Sequence, residues 1–93
     1  MVRLTWTDQS ISDLVSIAEF ISRDSVRYAS LTVKNIRDKA QILKTNPLAG
    51  RVVPEINDPD IRELIMGNYR IIYSVIAKTQ IDILTVHHSA RLL

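Results

Sequence analysis

IRELIMGNYRIIYSVI, residues 61–76, decides the fold of this 93-residue chain. Ile61–Met66 and Tyr69–Ile76 are rich in β-branched and aromatic residues, which suit a pleated, half-buried surface. Gly67-Asn68 between them fits a two-residue hairpin turn, with glycine supplying the positive φ of the first turn position. That turn sets a register in which Met66 opposes Tyr69, Ile65 opposes Arg70, Glu63 opposes Ile72 and Arg62 opposes Tyr73. Side chains alternate across a strand, so Arg62, Leu64 and Met66 share a face with Tyr69, Ile71 and Tyr73. Arg70 falls on the other face, diagonal to Glu63 at a separation that two long side chains bridge. One face must cover other elements, so only one of Arg62 and Arg70 points at the open face. The apolar pattern leaves open which.

On the C-terminal side, Ala77-Lys78-Thr79-Gln80 forms a second turn and Ile81–Val86 a third strand, with His87 and His88 following it. On the N-terminal side, residues 47–60 (PLAGRVVPEINDPD) hold all three prolines and one of the two glycines. They read as a loop of fixed bends, long for a small domain and therefore a functional candidate. Before it, Val26, Ala29, Val33, Ile36, Ala40 and Leu43 recur at steps of three and four, the stripe of a helix over about five turns. Ser25 or Asp24 caps that helix, and Asn46-Pro47 ends it. Ile11, Leu14, Val15, Ala18 and Ile21 mark an earlier helix over about residues 9–22, capped by Thr7 or Asp8. The short link at Arg23-Asp24-Ser25 makes the pair an antiparallel hairpin. Val2, Leu4 and Trp6 alternate with polar residues in a short first strand. The expectation is one α+β domain over residues 1–93: a short N-terminal strand, a two-helix hairpin, then a three-stranded antiparallel meander with the helices on one sheet face.

Composition narrows the function classes. A chain of this length buries roughly 60–65% of its unfolded surface, so its margin of stability is thin and a tight partner adds to it by mass action. No apolar run reaches the ~18 residues of a membrane span, and no basic segment followed by an apolar run marks a signal peptide. There is no cysteine, which removes disulfides and thiolate metal sites and fits a reducing cytoplasm. No metal-ligand cluster, glycine-rich phosphate loop or nucleophile elbow is present, so neither a metal nor a cofactor is expected. Net charge is +2. Residues 47–93 hold five basic residues, four of them arginines: Arg51, Arg62, Arg70 and Arg91. Arginine presents a fixed fork of donors to phosphate or carboxylate, which makes this half the expected target-contacting half.

Each of these groups has a structural reading beside the functional one. Arg70 serves equally as an ion-pair partner of Glu63, and Arg62 as a cation lying over the Tyr73 ring. His87 and His88 point to opposite faces if the strand continues, which makes them a poor joint metal site. Trp6 and Tyr28 are expected to pack within the core or between helices. The residues alone name no substrate.

Several segments, in order, carry a resemblance. They are Trp6-Thr7; Asp13-Leu14 with Ile17 and Phe20-Ile21; Pro47-Leu48-Ala49-Gly50-Arg51-Val52-Val53-Pro54-Glu55; Ile61-Arg62-Glu63-Leu64; Tyr69-Arg70-Ile71-Ile72-Tyr73; and Ile83-Leu84-Thr85-Val86-His87-His88. Together they resemble the RelE/ParE superfamily of toxins from type II toxin–antitoxin modules. The resemblance spans essentially the whole chain and implies the compact microbial-ribonuclease-like α+β fold. It also implies a cytoplasmic growth inhibitor of a plasmid-stabilisation module, neutralised by a cognate antitoxin. The helical hairpin carries extra apolar residues, Phe20 and Leu31, and an antitoxin is expected either to lay a helix on it or to add a strand to an open sheet edge.

Two activities share this scaffold. RelE-like members cut mRNA on the ribosome, and under that reading Arg70 would stabilise the phosphate, Glu55 would act as base and His87 or His88 as acid. ParE-like members inhibit DNA gyrase. Where RelE-like toxins alternate lysines on the strand before the hairpin, this chain has Arg62-Glu63, and no tyrosine follows His88. These departures and the long helical hairpin resemble the ParE branch more, so gyrase inhibition is the expectation. Ribosome-dependent mRNA cleavage stands as the alternative, and an inactive relative serving only as a binding module as a third.

Overall fold

The computed structural model describes residues 2–89. Strand β1 (Arg3–Trp6) leads into helix α1 (Asp8–Ser22) and helix α2 (Val26–Ala40), which tightens into a 3-10 turn over Gln41–Lys44. Strands β2 (Arg51–Val52), β3 (Ile61–Met66), β4 (Tyr69–Ala77) and β5 (Gln80–His88) follow. The sheet order is β1-β5-β4-β3-β2, with β1 parallel to β5 and the other neighbours antiparallel. The α+β architecture matches the expectation, with one element added: the segment read as a plain loop contributes the edge strand β2. A strand of two residues has no periodicity to read.

The hairpin register is the one the turn dictates, from Met66 opposite Tyr69 to Arg62 opposite Tyr73. Gly67 takes φ 59°, the conformation a side chain would disfavour. Both helices start on hydroxyl caps, Thr7 Oγ1 accepting from Ser10 N–H at 3.2 Å and Ser25 Oγ from Tyr28 N–H at 3.0 Å. The Thr7 hydroxyl also donates to the Ile83 carbonyl at 2.7 Å, fastening the β1–α1 junction to β5.

α1 lies over β5 and α2 over β3. The core between the layers holds Leu14, Ile36, Ala40 and Leu43 from the helical side, and Leu64, Ile71, Tyr73, Ile81, Ile83 and Val86 from the sheet. Trp6 packs against it. Tyr28 does not, being exposed on α2, and Ile11, Val15 and Val26 are exposed as well, while Val33 is half-buried. A two-layer fold covers only the helix flank that meets the sheet, so the outer part of each apolar stripe stays in solvent.

β5 runs to His88, so the two histidines lie within the strand. β1 pairs only with residues 80–83, which leaves the next stretch of that β5 edge without a neighbouring strand. Asp13 of α1 reaches it instead, its carboxylate accepting from Val86 N–H at 3.0 Å and from the Thr85 hydroxyl.

Candidate functional site

The face of the sheet away from the helices carries a line of alternating charges. Arg51 on β2 sits opposite Glu63 on β3, and Arg70 on β4 lies on the diagonal. Glu63 Oε2 accepts from Arg51 Nε at 2.6 Å and Oε1 from Arg70 Nε at 2.5 Å. Arg70 Nη1 and Nη2 then donate to the two oxygens of Glu55 at 2.8 and 2.9 Å. Glu63 and Arg70 are buried, at 1% and 7% exposure, whereas the Glu55 and Arg51 side chains keep 46% and 64%. Two cations and two anions cancel, which is how a buried charge avoids its desolvation cost.

The electrostatics follow from these bonds. The Arg70 hydrogen bonds, helped by a backbone hydrogen bond, hold the Glu55 carboxyl well below its ordinary range, at about 2. Glu55 and then Glu63 raise the Arg70 pKa further above its already high value. Burial pushes the Tyr73 hydroxyl up.

The proline-bent segment is fixed over this face. Val53 is fully buried and its carbonyl accepts from Ile56 and Asn57 N–H, closing a turn with Asn57 at φ 55° that carries Glu55 toward Arg70. Arg62 donates to the carbonyls of Pro59 at 2.9 Å and Gly50 at 3.0 Å, and so ties down both ends of the segment. The Tyr73 hydroxyl donates to the Pro47 carbonyl and accepts from Gly50 N–H. Glycine is required at 50, because a Cβ would stand 2.4 Å from the Glu63 carbonyl oxygen and 2.8 Å from the Tyr73 ring.

Of the residues singled out in the sequence, Arg51, Glu55 and Arg70 thus come together, and Arg62 stands apart at the segment's edge. His87 pairs with Arg70 across β4–β5, whereas His88 faces the helices and meets the Tyr69 ring edge-on at 5.5 Å between centroids. Both histidines line a cleft of about 500 Å³ with Asp13, Ile17, Phe20 and Tyr69. Phe20 is 67% exposed under the Arg23 guanidinium, and Leu31 is 48% exposed on α2. Arg91 lies outside the described residues.

Sequence reasoning did not single out the groove between the helices. It measures about 640 Å³ and is lined by Ala18, Val26, Ala29 and Val33, with Lys34 and Arg37 at its margin. Its signal was the α2 stripe itself, read wholly as core. Asp13 was also missed, because nothing local shows that a helix side chain will close a strand edge. Among the described residues no three His, Asp or Glu side chains come together as a metal centre, and no helix is long and apolar enough to cross a membrane.

Residues 4–93 match the family model described as the ParE toxin of the type II toxin–antitoxin system parDE. The chain belongs to this family. It is thus the toxin component of a type II module, with a cognate antitoxin as its partner. The fold of this ParE-family toxin is similar to a solved structure titled "Chromosomal ParDE TA system from P. aeruginosa", at a TM-score of 0.77 and 21% identity, covering 95% of this chain and 96% of that one. No curated protein sequence matches the chain.

Proposed function

We propose that this toxin arrests growth in the cytoplasm by inhibiting DNA gyrase, through protein contacts and not through cleavage of RNA. The observation that carries this reading is the state of Arg70. All three of its guanidinium nitrogens already donate to carboxylates. RNA cleavage needs cationic donors aimed at a phosphate that gains charge in the transition state, and a base with a pKa near the working pH. Here the cation is neutralised, and the carboxylate that would be the base is held at about 2. Arg62 gives its donors to loop carbonyls and Arg51 its Nε to Glu63, so the other arginines of this face also bond within the chain.

The antitoxin is assigned to the outer side of the helical hairpin. Phe20 and Leu31 are exposed on the hairpin, and α2, which forms one wall of the apolar groove, carries Arg27, Lys34, Arg37 and Lys39 against a single acidic residue, Asp38. An acidic amphipathic helix matches that combination of apolar anchors and positive charge.

The test of the target is supercoiling by gyrase of the native host, with and without the purified toxin. Inhibition, with translation continuing at first in induced cells, is the expected result. Unaffected gyrase together with mRNA cut on ribosomes would overturn the proposal in favour of ribosome-dependent cleavage.

A further inference from the structure

We propose that the outer edge of Arg70 is a carboxylate-binding site that Glu55 occupies within the chain, and that an acidic side chain of a partner protein takes this position by displacing Glu55. The inference rests on the same Arg70 geometry as the proposed target and adds that the site prefers a carboxylate over a phosphate. It starts from how unequally the two carboxylates on Arg70 are held. Glu63 belongs to a sheet strand, is buried, and engages Nε, which fixes the plane of the guanidinium. Glu55 belongs to the connection between β2 and β3, and its side chain is nearly half exposed.

Because Glu63 holds Nε, the Nη1–Nη2 edge points in a set direction with two parallel donors. That fork is the arrangement with which arginine binds an external carboxylate in bidentate fashion. Glu55 fills it in this way, one oxygen to each nitrogen at 2.8 and 2.9 Å. Around Glu55 the segment is held by its own turn: Ile56 and Asn57 bond back to Val53, and Ile61 N–H bonds to the Asp58 carbonyl. The anchors Val53, Arg62 and Tyr73 lie on either side of residues 54–58. Residues 54–60 are exposed, so Glu55 can leave Arg70 without unseating a core residue.

The charge balance favours replacement over vacancy. With Glu55 withdrawn, Arg51 and Arg70 face Glu63 alone and one positive charge is uncompensated, on an arginine whose side chain is 9% exposed while Glu55 covers it. An incoming carboxylate restores neutrality and the two hydrogen bonds. Ile65 stands opposite Arg70 in the β3–β4 register and is exposed, so a partner presenting an apolar side chain beside its acidic one gains contact that Glu55 does not supply. That added contact lets an external group compete with a tethered one.

The experiment uses the full chain with ¹⁵N-labelled arginine, titrated at constant ionic strength with acetate and, separately, inorganic phosphate. In Glu55→Ala the Arg70 Nε–H signal is expected to shift saturably with acetate. The folding equilibrium should rise about tenfold once acetate exceeds Kd by about ten times. The wild-type chain should need far more acetate, and Glu55→Ala/Arg70→Gln, which has no Arg70 signal and is read by its folding equilibrium alone, should show no response. Glu55→Gln, which keeps the side-chain volume, replaces Glu55→Ala if that variant does not fold. A folded Glu55 variant whose Arg70 signal ignores acetate would overturn the proposal. So would a response undiminished by Arg70→Gln, or one stronger for phosphate than for acetate. None of these readouts involves gyrase, so loss of the acetate response leaves the proposed target standing, whereas a preference for phosphate would count against both.

Discussion

Arg70 and Glu63 meet on the diagonal of the β3–β4 pair at 2.5 Å, both buried, and each carries a second charged partner, Glu55 on one side and Arg51 on the other. Arg70→Ala leaves Glu63 with only the exposed Arg51. Removing one member of a buried pair costs about 3–5 kcal/mol, far more than loss of a surface ion pair. Chemical denaturation should show a loss of about that size, and a loss below about 1 kcal/mol would mean that the pair is solvated.

Acid stability should depend on Glu55. Its carboxyl lies at about 2 in the folded chain against an ordinary value of 4.5. A depressed folded pKa contributes stability that is complete above the unfolded value and is lost as pH falls toward the folded one. The wild-type chain should therefore weaken between pH 4.5 and about 2 more than Glu55→Gln does. Melts of both across that window decide it, and parallel curves would contradict the ion pair.

Gly50→Ala should destabilise the toxin by about 1–3 kcal/mol, since the added methyl group meets the Glu63 carbonyl and the Tyr73 ring. Tyr73→Phe should cost about 1–3 kcal/mol by leaving buried backbone groups of the 47–50 bend unsatisfied. Thermal unfolding of each variant checks both, and unchanged melting would place the bend elsewhere.

The helix layer gives a contrast. Ile36 is fully buried and Val33 only half-buried, so Ile36→Ala should cost about 2–5 kcal/mol. The spacing of α2 made Val33 the centre of the stripe, but the centre of the covered flank is Ile36. Phe20→Ala and Leu31→Ala remove exposed groups and should leave melting unchanged while weakening the antitoxin complex about tenfold, roughly 1.4 kcal/mol. Calorimetric titration with the antitoxin measures that loss, and unchanged affinity would move the interface away from the hairpin.

His88→Ala should keep the toxin active. The ring meets Tyr69 edge-on, a contact worth about 0.5–1.5 kcal/mol, and has no part in gyrase inhibition as proposed. Growth arrest on induction, with circular dichroism as the folding control, is the measurement. A folded, non-toxic variant would favour the ribonuclease reading.

The hairpin and helix pattern made most of the fold legible. Gly67-Asn68 fixes the β3–β4 register by turn geometry alone, and the Thr7 and Ser25 caps mark the helix starts. What stayed hidden depends on contacts between distant segments. β2 exists because Arg51-Val52 lies along β3, not because two residues prefer to be extended. The register placed Arg70 beside Glu63, but nothing in it showed that Glu55, fifteen positions earlier, would take the other edge of the guanidinium. Residue type marked Arg51, Glu55 and Arg70 as candidates, and only the path of the 47–60 segment shows that they neutralise one another.

β1 has a single strand neighbour, β5, and their residues stand about 77 positions apart in the chain, as in Arg3 with Gln80. β1 must therefore wait until β5 has been made. Chains grow at about 5–20 residues per second, so the toxin spends roughly four to sixteen seconds of its synthesis unable to complete its sheet. The hairpin helices can form within that interval, since helix formation takes about a microsecond. A nascent toxin thus carries both helices before it has a finished sheet to pack them on, and on the binding mode proposed above an antitoxin already in the cell has that interval in which to meet them.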